Sequence, residues 1–241
     1  MSTKTSNKQS GLATAYLIFY NVVLTLGWAF ILVLTIQTAL KWKTPKTDIL
    51  TAKSIYPTVE FYLLVFQTAA ILEVVHAAVG LVRSNPILTL FQVLSRLIVV
   101  WLVCYPFKDA KNSLGFSLVC IAWPIAEIVR YSYYAFNLIN FVPSFITWCR
   151  YTFFIILYPL GVTGELICIY RAFEYVAPLN IRKQYSYFLP NKYNVSFDAY
   201  YSFFIVMLLY IPIFPKLYGH MLVQRKKIVG GGAKSEAKKT Q

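Results

Sequence analysis

The sequence is short of charged residues and shows no motif typical of a soluble active site. Only 13% of its 241 residues are charged, whereas an average soluble domain is nearer 25%. Hydrophobic residues make up 58% of the chain and aromatic residues 17%. This balance excludes an ordinary soluble domain and indicates an integral membrane protein, with room for a single membrane domain.

Cysteine and histidine are too scarce, and too widely separated, to form a metal centre or a disulfide framework. The four cysteines show no C-x-x-C spacing, and the chain has only two histidines. H-E-x-x-H zinc, G-x-S-x-G nucleophile and Walker phosphate motifs are all missing. A cysteine phosphatase needs Cys-x5-Arg, yet the sixth residue after each cysteine is Ala110, Ala126, Ile155 or Glu174. We therefore predict no metal site and no thiol phosphatase activity.

Acidic residues are also few, with 9 Asp and Glu against 23 Lys and Arg, which gives a net charge of +14. The basic residues are dispersed over short loops and the C-terminal tail, and no soluble basic domain is present to hold a duplex. A surface of anionic lipid is the expected counterpart of this charge. We predict no nucleic-acid partner.

What the sequence does contain is six long apolar stretches, each able to cross a hydrocarbon core of about 30 Å. They predict an all-α, polytopic bundle of six transmembrane helices. This single membrane domain is expected over residues 13–223, between a disordered N-terminus (1–12) and a basic disordered tail (224–241). The predicted spans are 13–40, 59–82, 86–107, 114–138, 148–174 and 198–221.

The fifth span carries the most distinctive chemistry. Pro159 and Gly161 predict a kink near its middle, with Tyr158 and Glu165 on either side. Seven residues at about 100° each return these two side chains to one helix face, roughly 10 Å apart along the axis. A carboxyl at lipid depth costs about 2.5–3.5 kcal/mol on insertion scales, and such residues are usually functional. The alternative is that Tyr158 is a packing aromatic in an ordinary kinked helix.

Further polar groups recur at membrane depth on the second, third and fourth spans. They could form internal ion pairs, such as Glu73 with Arg96, or they could face a cavity and act on a substrate. The residues alone leave a transporter, a scaffold or receptor, and an intramembrane enzyme open. A phenol and a carboxyl suit proton transfer, which leaves the enzyme and the transporter level. The polar set is Glu73, His76, Gln92, Arg96, Glu127 and Arg130.

Four segments of the chain resemble one family of membrane enzymes. These are LEVVHAAVGLVRSNP, FQVLSRLIVVW, AWPIAEIVRYSYYAF and RYTFFIILYPLGVTGELICIY, the last of which includes a Y-P-x-G-x-x-x-E core. They are similar to the membrane 3-hydroxyacyl-CoA dehydratases of very-long-chain fatty acid elongation, a family also described as protein tyrosine phosphatase-like. The likeness extends over about residues 15–227.

The resemblance implies a hydro-lyase that dehydrates a (3R)-3-hydroxyacyl-CoA to a trans-2-enoyl-CoA, the third step of the elongation cycle. It implies that Tyr158 and Glu165 are the catalytic pair, without a metal or organic cofactor. Expected partners are the lipid bilayer, the very-long-chain acyl-CoA substrate, and the condensing enzyme, ketoacyl reductase and enoyl reductase of the cycle. The alternative is a non-catalytic scaffold of the same fold. The supporting polar residues implied are Glu73, Gln92, Arg96 and Arg130.

The C-terminus carries a pattern that predicts a cellular address. Lys238 and Lys239 stand at positions −4 and −3, which is the dilysine retrieval signal of endoplasmic reticulum membrane proteins. The signal works only on a cytosolic tail, and six spans then place the N-terminus in the cytosol too. Asn194 begins a glycosylation sequon in the loop expected to be lumenal. Loop charges are too evenly divided to decide the orientation.

Overall fold

The structure is a computed structural model and describes residues 11–41, 55–82 and 84–237. All regular elements in this part of the chain are helices, accompanied by one isolated β-bridge between Tyr187 and Phe197. The helices are α1 (Gly11–Lys41), α2 (Ile55–Ala69), α3 (Ile71–Ala78), α4 (Pro86–Leu97), a π-helical segment (Ile98–Cys104), α5 (Lys108–Lys111), α6 (Leu114–Leu138), α7 (Ser144–Thr152), α8 (Phe154–Val176), α9 (Leu179–Tyr185) and α10 (Ala199–Ala237).

Six of these helical stretches are long and apolar enough to cross a membrane, which confirms the predicted all-α, six-span architecture. Two of the six are composite. The second span joins α2 to α3, and the third continues from α4 into the π-helical segment. The six spans are Gly11–Leu40, Ile55–Ala78, Pro86–Cys104, Leu114–Leu138, Phe154–Val176 and Ala199–Ile228.

Short polar turns set the start of two spans. Asn85 caps α4, where its side-chain oxygen accepts from the backbone N–H groups of Ile87 at 2.9 Å and Leu88 at 3.4 Å. Pro86 fills the first helical position, where the missing N–H costs nothing. Ser113 caps α6 in the same way, accepting from Phe116. These caps satisfy backbone donors that the bilayer would leave without partners.

The fifth span differs from the prediction in where its helix begins. We expected one span from Trp148 to Glu174 with a kink at Pro159 and Gly161. Instead α7 ends at Thr152, α8 begins at Phe154, and α8 is continuous through both of those residues. The apolar composition runs across this junction, so hydrophobicity alone could not locate it.

The helix at Pro159 is supported from a neighbouring helix. Proline has no N–H, so the carbonyl of Ile155 one turn earlier lacks its intrahelical donor. The hydroxyl of Tyr218 on α10 donates to this carbonyl at 3.3 Å. Such a replacement donor explains how proline is tolerated within a helix at membrane depth.

Helix α6 is the centre of the bundle, and its most extensive packing is with α1 and α8. The α6–α8 contact brings backbone against backbone at two glycines. A Cβ built on Gly164 would lie 2.7 Å from the carbonyl oxygen of Gly115, and one built on Gly115 would lie 2.5 Å from that of Gly164. Only glycine at both positions allows this approach, which brings Glu165 of α8 close to α6.

The last helix extends beyond the predicted boundary at residue 223. It continues to Ala237, through a segment that we expected to be disordered. Residues 224–237 combine Gln, Arg, Lys, Ala and Glu, which favour helix, with three glycines that disfavour it, and the end of apolar composition does not mark the end of the helix. Residues 1–10 and the Lys238–Lys239 signal lie outside the described residues.

The segment between α8 and α10 is joined to the start of α10 by an ion pair. Arg182 of α9 contacts both carboxylate oxygens of Asp198, with its Nε at 2.9 Å from each. The Arg182 guanidinium therefore holds the pKa of Asp198 below its usual value. Asp198 also accepts from the backbone N–H of Tyr200 at 3.0 Å and so helps to begin α10.

Candidate active site

Glu165 lies near the middle of α8 and is only 8% exposed. Each of its carboxylate oxygens accepts one hydrogen bond from a neutral donor. The indole Nε1 of Trp123 on α6 donates to Oε1 at 2.9 Å, and the hydroxyl of Tyr210 on α10 donates to Oε2 at 2.7 Å. Three helices thus converge on this carboxyl group.

Tyr158 lies on the same side of α8 as Glu165. Its ring stacks on Phe214, with centroids 5.2 Å apart, and on Tyr218 at 6.2 Å. Since both of these rings belong to α10, Tyr158 and Glu165 both face that helix, as their spacing predicted. The Tyr158 side chain is partly buried, and no described residue forms a hydrogen bond with its hydroxyl. This phenol is therefore available to a bound molecule.

A partly buried ion-pair network lies beside the carboxyl group of Glu165. Arg96 of α4 pairs with Oε1 of Glu127, and Arg130 Nε donates to Oε2 of the same residue at 2.8 Å. Arg130 also forms a two-pronged contact with Glu73, at 2.9 and 2.8 Å. Tyr131 donates its hydroxyl to Glu73 as well. Two cations therefore balance two anions, as expected for charges at this depth.

One ion pair that the sequence allowed, Glu73 with Arg96, is not formed in the structure. We considered Glu73 with Arg96, but the structure pairs Glu73 with Arg130 and Arg96 with Glu127. The intrahelical pair of Glu127 with Arg130 is present. The choice between partners depends on the rotation of each helix about its axis, which the sequence does not reveal.

Arg96 connects this network to Glu165 through an aromatic ring. Its guanidinium carbon lies 5.4 Å from the centroid of Trp123, the residue that donates to Glu165. Glu165 itself has no ion-pair partner within the described ranges, and it is held by the neutral donors Trp123 and Tyr210. A carboxylate held only by neutral donors loses less of its capacity to accept a proton than one in a direct ion pair.

Gln92 is the predicted supporting residue that the structure does not bring into this arrangement. It is exposed on α4, one turn before Arg96, and its side chain has no hydrogen-bond partner among the residues that the structure describes. Its supporting role remains a prediction.

Two residues of the arrangement were missed by sequence reasoning, Trp123 and Tyr210. A weak signal existed for Trp123, because an indole N–H within an apolar span needs an acceptor. Nothing distinguishes Tyr210 from the other 18 of the 19 tyrosines. Both were identified only by their distance from Glu165.

His76, the other ionisable residue of the predicted polar set, has structural partners. His76 is buried, with Nε2 2.9 Å from the hydroxyl of Tyr16, and its ring packs edge-on against Tyr20. The four cysteines are free thiols, and no cluster of three His, Cys, Asp or Glu side chains suited to a metal occurs in the described ranges.

Comparison with known proteins places the chain in a family. The family model described as protein tyrosine phosphatase-like protein, PTPLA, matches residues 67–231. The human very-long-chain (3R)-3-hydroxyacyl-CoA dehydratase 2 is 47% identical over 218 residues, covering 90% of this chain and 82% of the human protein. The chain belongs to the PTPLA family. No solved structure matches it.

More distant PTPLA relatives also cover most of the chain. The dehydratase hpo-8 of Caenorhabditis elegans is 42% identical over 92% of this chain and 97% of its own length. The Arabidopsis thaliana dehydratase PASTICCINO 2 is 38% identical over 88% and 91%. The word phosphatase in the PTPLA description has no counterpart in this sequence, because no cysteine has an arginine six residues after it.

Proposed function

We propose that this protein dehydrates (3R)-3-hydroxyacyl-CoA thioesters to trans-2-enoyl-CoA thioesters, the third step of very-long-chain fatty acid elongation. The observation that carries the proposal is the geometry of α8. A buried carboxyl without an ion-pair partner shares one helix face with a phenol whose hydroxyl has no described partner. The names of the relatives, which share 38–47% of their residues with this chain, support the same reaction.

The two side chains divide the proton transfers of the reaction. Glu165 removes the C2 proton, which is acidified by the adjacent thioester carbonyl, and the C2 electron pair forms the C2–C3 double bond. Tyr158 donates its proton to the hydroxyl leaving C3, which departs as water. Transfer of the proton from Glu165 back to the Tyr158 phenolate restores the site, so protons balance over one turnover.

The reverse assignment makes Tyr158 the base, with Glu165 activating it. That scheme requires a hydrogen bond between the two, directly or through water. In the structure the phenol bonded to Glu165 is Tyr210, while Tyr158 stacks on Phe214. Return of the proton in the first scheme needs the same contact between Glu165 and Tyr158, so the deuterium-exchange experiment decides between the two schemes.

Negative charge that develops on the thioester oxygen needs a donor nearby. Arg96 is engaged with Glu127, whereas the side-chain amide of Gln92 has no described partner. Gln92 and Arg96 are the candidates for this donor, and the role of Gln92 stays a prediction because its side chain is exposed on α4 outside the arrangement. The ion pairs of Arg96, Arg130 and Glu73 fix α6, the helix that carries Trp123. Trp123 in turn orients Glu165.

The membrane setting follows from the substrate. A very long acyl chain lies in an apolar groove between helices, and the CoA head remains in the cytosol. Two basic residues near the expected cytosolic ends of their spans, Arg83 and Arg150, are candidates to meet the CoA phosphates. The Arg150 guanidinium packs over Tyr133 at 4.2 Å and Tyr134 at 4.8 Å, and Arg83 lies outside the described residues.

The address and partners form part of the proposal. The dilysine ending and the family together support the endoplasmic reticulum membrane, with both termini in the cytosol. The condensing enzyme and the two reductases of the elongation cycle are the expected partners, because this reaction consumes the product of one reductase and supplies the substrate of the other.

Turnover of a long-chain (3R)-3-hydroxyacyl-CoA by the purified protein in lipid vesicles tests the function. We expect Tyr158→Phe and Glu165→Gln to lower kcat by about 10²–10⁴-fold, the usual contribution of a positioned acid or base. Tyr200→Phe, which removes a phenol hydroxyl without a described hydrogen-bond partner, is the matched control.

Exchange of the C2 proton for deuterium without dehydration separates the two chemical schemes. If Glu165 is the base, Tyr158→Phe retains exchange and loses dehydration, while Glu165→Gln loses both. Wild-type turnover by both variants would show that the site lies elsewhere, and an inactive wild type would remove the proposed function.

A further inference from the structure

The phenol in contact with the carboxyl group of Glu165 belongs to α10. Tyr210 donates its hydroxyl proton to Oε2 at 2.7 Å, whereas Tyr158, on the same helix as Glu165, makes no such bond. Two tyrosines thus face the same region with different relations to the carboxylate. One holds it, and the other is left free.

The hydroxyl of Tyr210 is not needed to pack α10. Among the described residues of this helix only Ala199 and Phe203 are buried, so the helix lies largely on the outside of the bundle. The Tyr210 ring is partly buried against the apolar core, a position that phenylalanine would fill equally well. What tyrosine adds is a single donor aimed at Glu165.

Two donors, one on each oxygen, define the plane of the carboxyl group. Trp123 fixes Oε1 from α6 and Tyr210 fixes Oε2 from α10. A carboxylate oxygen has two lone pairs, so each oxygen keeps one that can take a proton from a substrate. With only one donor, the group could rotate about its last bond and lose this orientation.

We propose that Tyr210 is a positioning residue, which holds Glu165 in the orientation needed to remove the C2 proton. The inference rests on the proposed dehydratase function and extends it, because it makes α10 part of the active site. It also gives the two phenols separate roles, Tyr158 toward the substrate and Tyr210 toward the base.

Tyr210→Phe tests the inference in the same vesicle assay. A hydrogen bond to a charged group contributes enough that its loss should lower kcat about 10- to 100-fold. KM should change less than threefold, because the Tyr210 hydroxyl donates to Glu165 and the substitution keeps the ring. Tyr200→Phe makes the same chemical change on the same helix and should leave both constants near wild type.

A double-mutant cycle shows whether the effect passes through Glu165. Glu165→Asp keeps a carboxyl group but shortens the side chain by one methylene, which breaks its hydrogen bond with Tyr210. We expect this variant to retain residual turnover. Adding Tyr210→Phe to Glu165→Asp should then cost less than twofold further. A second loss as large as the first would make the role of Tyr210 purely structural and would overturn the proposal.

The other outcomes are also decisive. Wild-type kcat for Tyr210→Phe, or failure of that variant to fold, refutes a positioning role, since the phenylalanine ring preserves the packing. Neither result touches the dehydratase function, which stands or falls on turnover by the wild type and its loss in Glu165→Gln.

Discussion

Replacing Gly164 with alanine should separate α6 from α8 next to the proposed base. The added Cβ would lie 2.7 Å from the carbonyl oxygen of Gly115, 3.0 Å from Val119 Cγ2 and 3.1 Å from Leu118 Cβ. Real Cβ contacts are rarely closer than 3.4 Å, so the backbones must move apart by about 0.7 Å. Overpacking of this kind costs about 1–3 kcal/mol.

The displacement should reduce turnover more than its cost in stability suggests. Glu165 follows Gly164 directly, and its Oε1 accepts from Trp123 of α6. A misplacement of about 1 Å at a reacting group can cost 10²-fold in rate. We expect kcat to fall by about 10- to 100-fold for Gly164→Ala, together with a lower midpoint of thermal unfolding.

Gly219→Ala is the matched control, because nothing lies within 4 Å of the Cβ that it would add. In the middle of α10, alanine should stabilise the helix by about 0.5–1 kcal/mol relative to glycine. Turnover and unfolding of the two variants are measured in the same lipid. If Gly164→Ala keeps both wild-type kcat and the wild-type unfolding midpoint, close backbone contact at the α6–α8 crossing is not what places Glu165.

Two further predictions concern other parts of the structure. Tyr218→Phe leaves the Ile155 carbonyl without its donor and should cost about 1 kcal/mol of stability, measured by unfolding in lipid. The cost should vanish in a Pro159→Ala background, where the helix supplies its own N–H; an equal cost in both backgrounds would contradict the argument. The ion pair between Arg182 and Asp198 should hold the segment between α8 and α10 in place at pH values above 3.8, the ordinary pKa of Asp198. It should release this segment as the pH falls through the lower pKa that Asp198 has in the folded protein. Hydrogen exchange of the loop amides should show this transition in the wild type and lose it in Arg182→Gln.

Composition predicted the membrane spans, and residue spacing predicted that Tyr158 and Glu165 share one face of α8. Both features depend on chemistry local to one segment of the chain. Apolar length determines which segments cross a bilayer, and the 3.6-residue period places Tyr158 and Glu165 together wherever the helix is continuous. The junction at Phe153 was missed because hydrophobicity does not change there. The π-helical segment after α4 was missed for the same reason.

Contacts between helices were the part that the sequence could not predict. Glu73 and Arg130 are 57 residues apart, and their pairing depends on how the second and fourth spans are rotated. The bond from Tyr210 to Glu165 spans 45 residues and depends on where α10 docks. The resemblance to the dehydratases implied the pair on α8 but neither Trp123 nor Tyr210.

The neutral ion-pair network has a consequence for how the protein is made. Its members come from three successive spans, with Glu73 on the second, Arg96 on the third, and Glu127 and Arg130 on the fourth. Each isolated charge at the centre of a bilayer costs about 2.5–3.5 kcal/mol on insertion scales. During synthesis the second and third spans emerge with opposite charges that find their final partners only when the fourth arrives. Membrane integration of these three helices should therefore be cooperative, with the fourth span completing the insertion of the two before it.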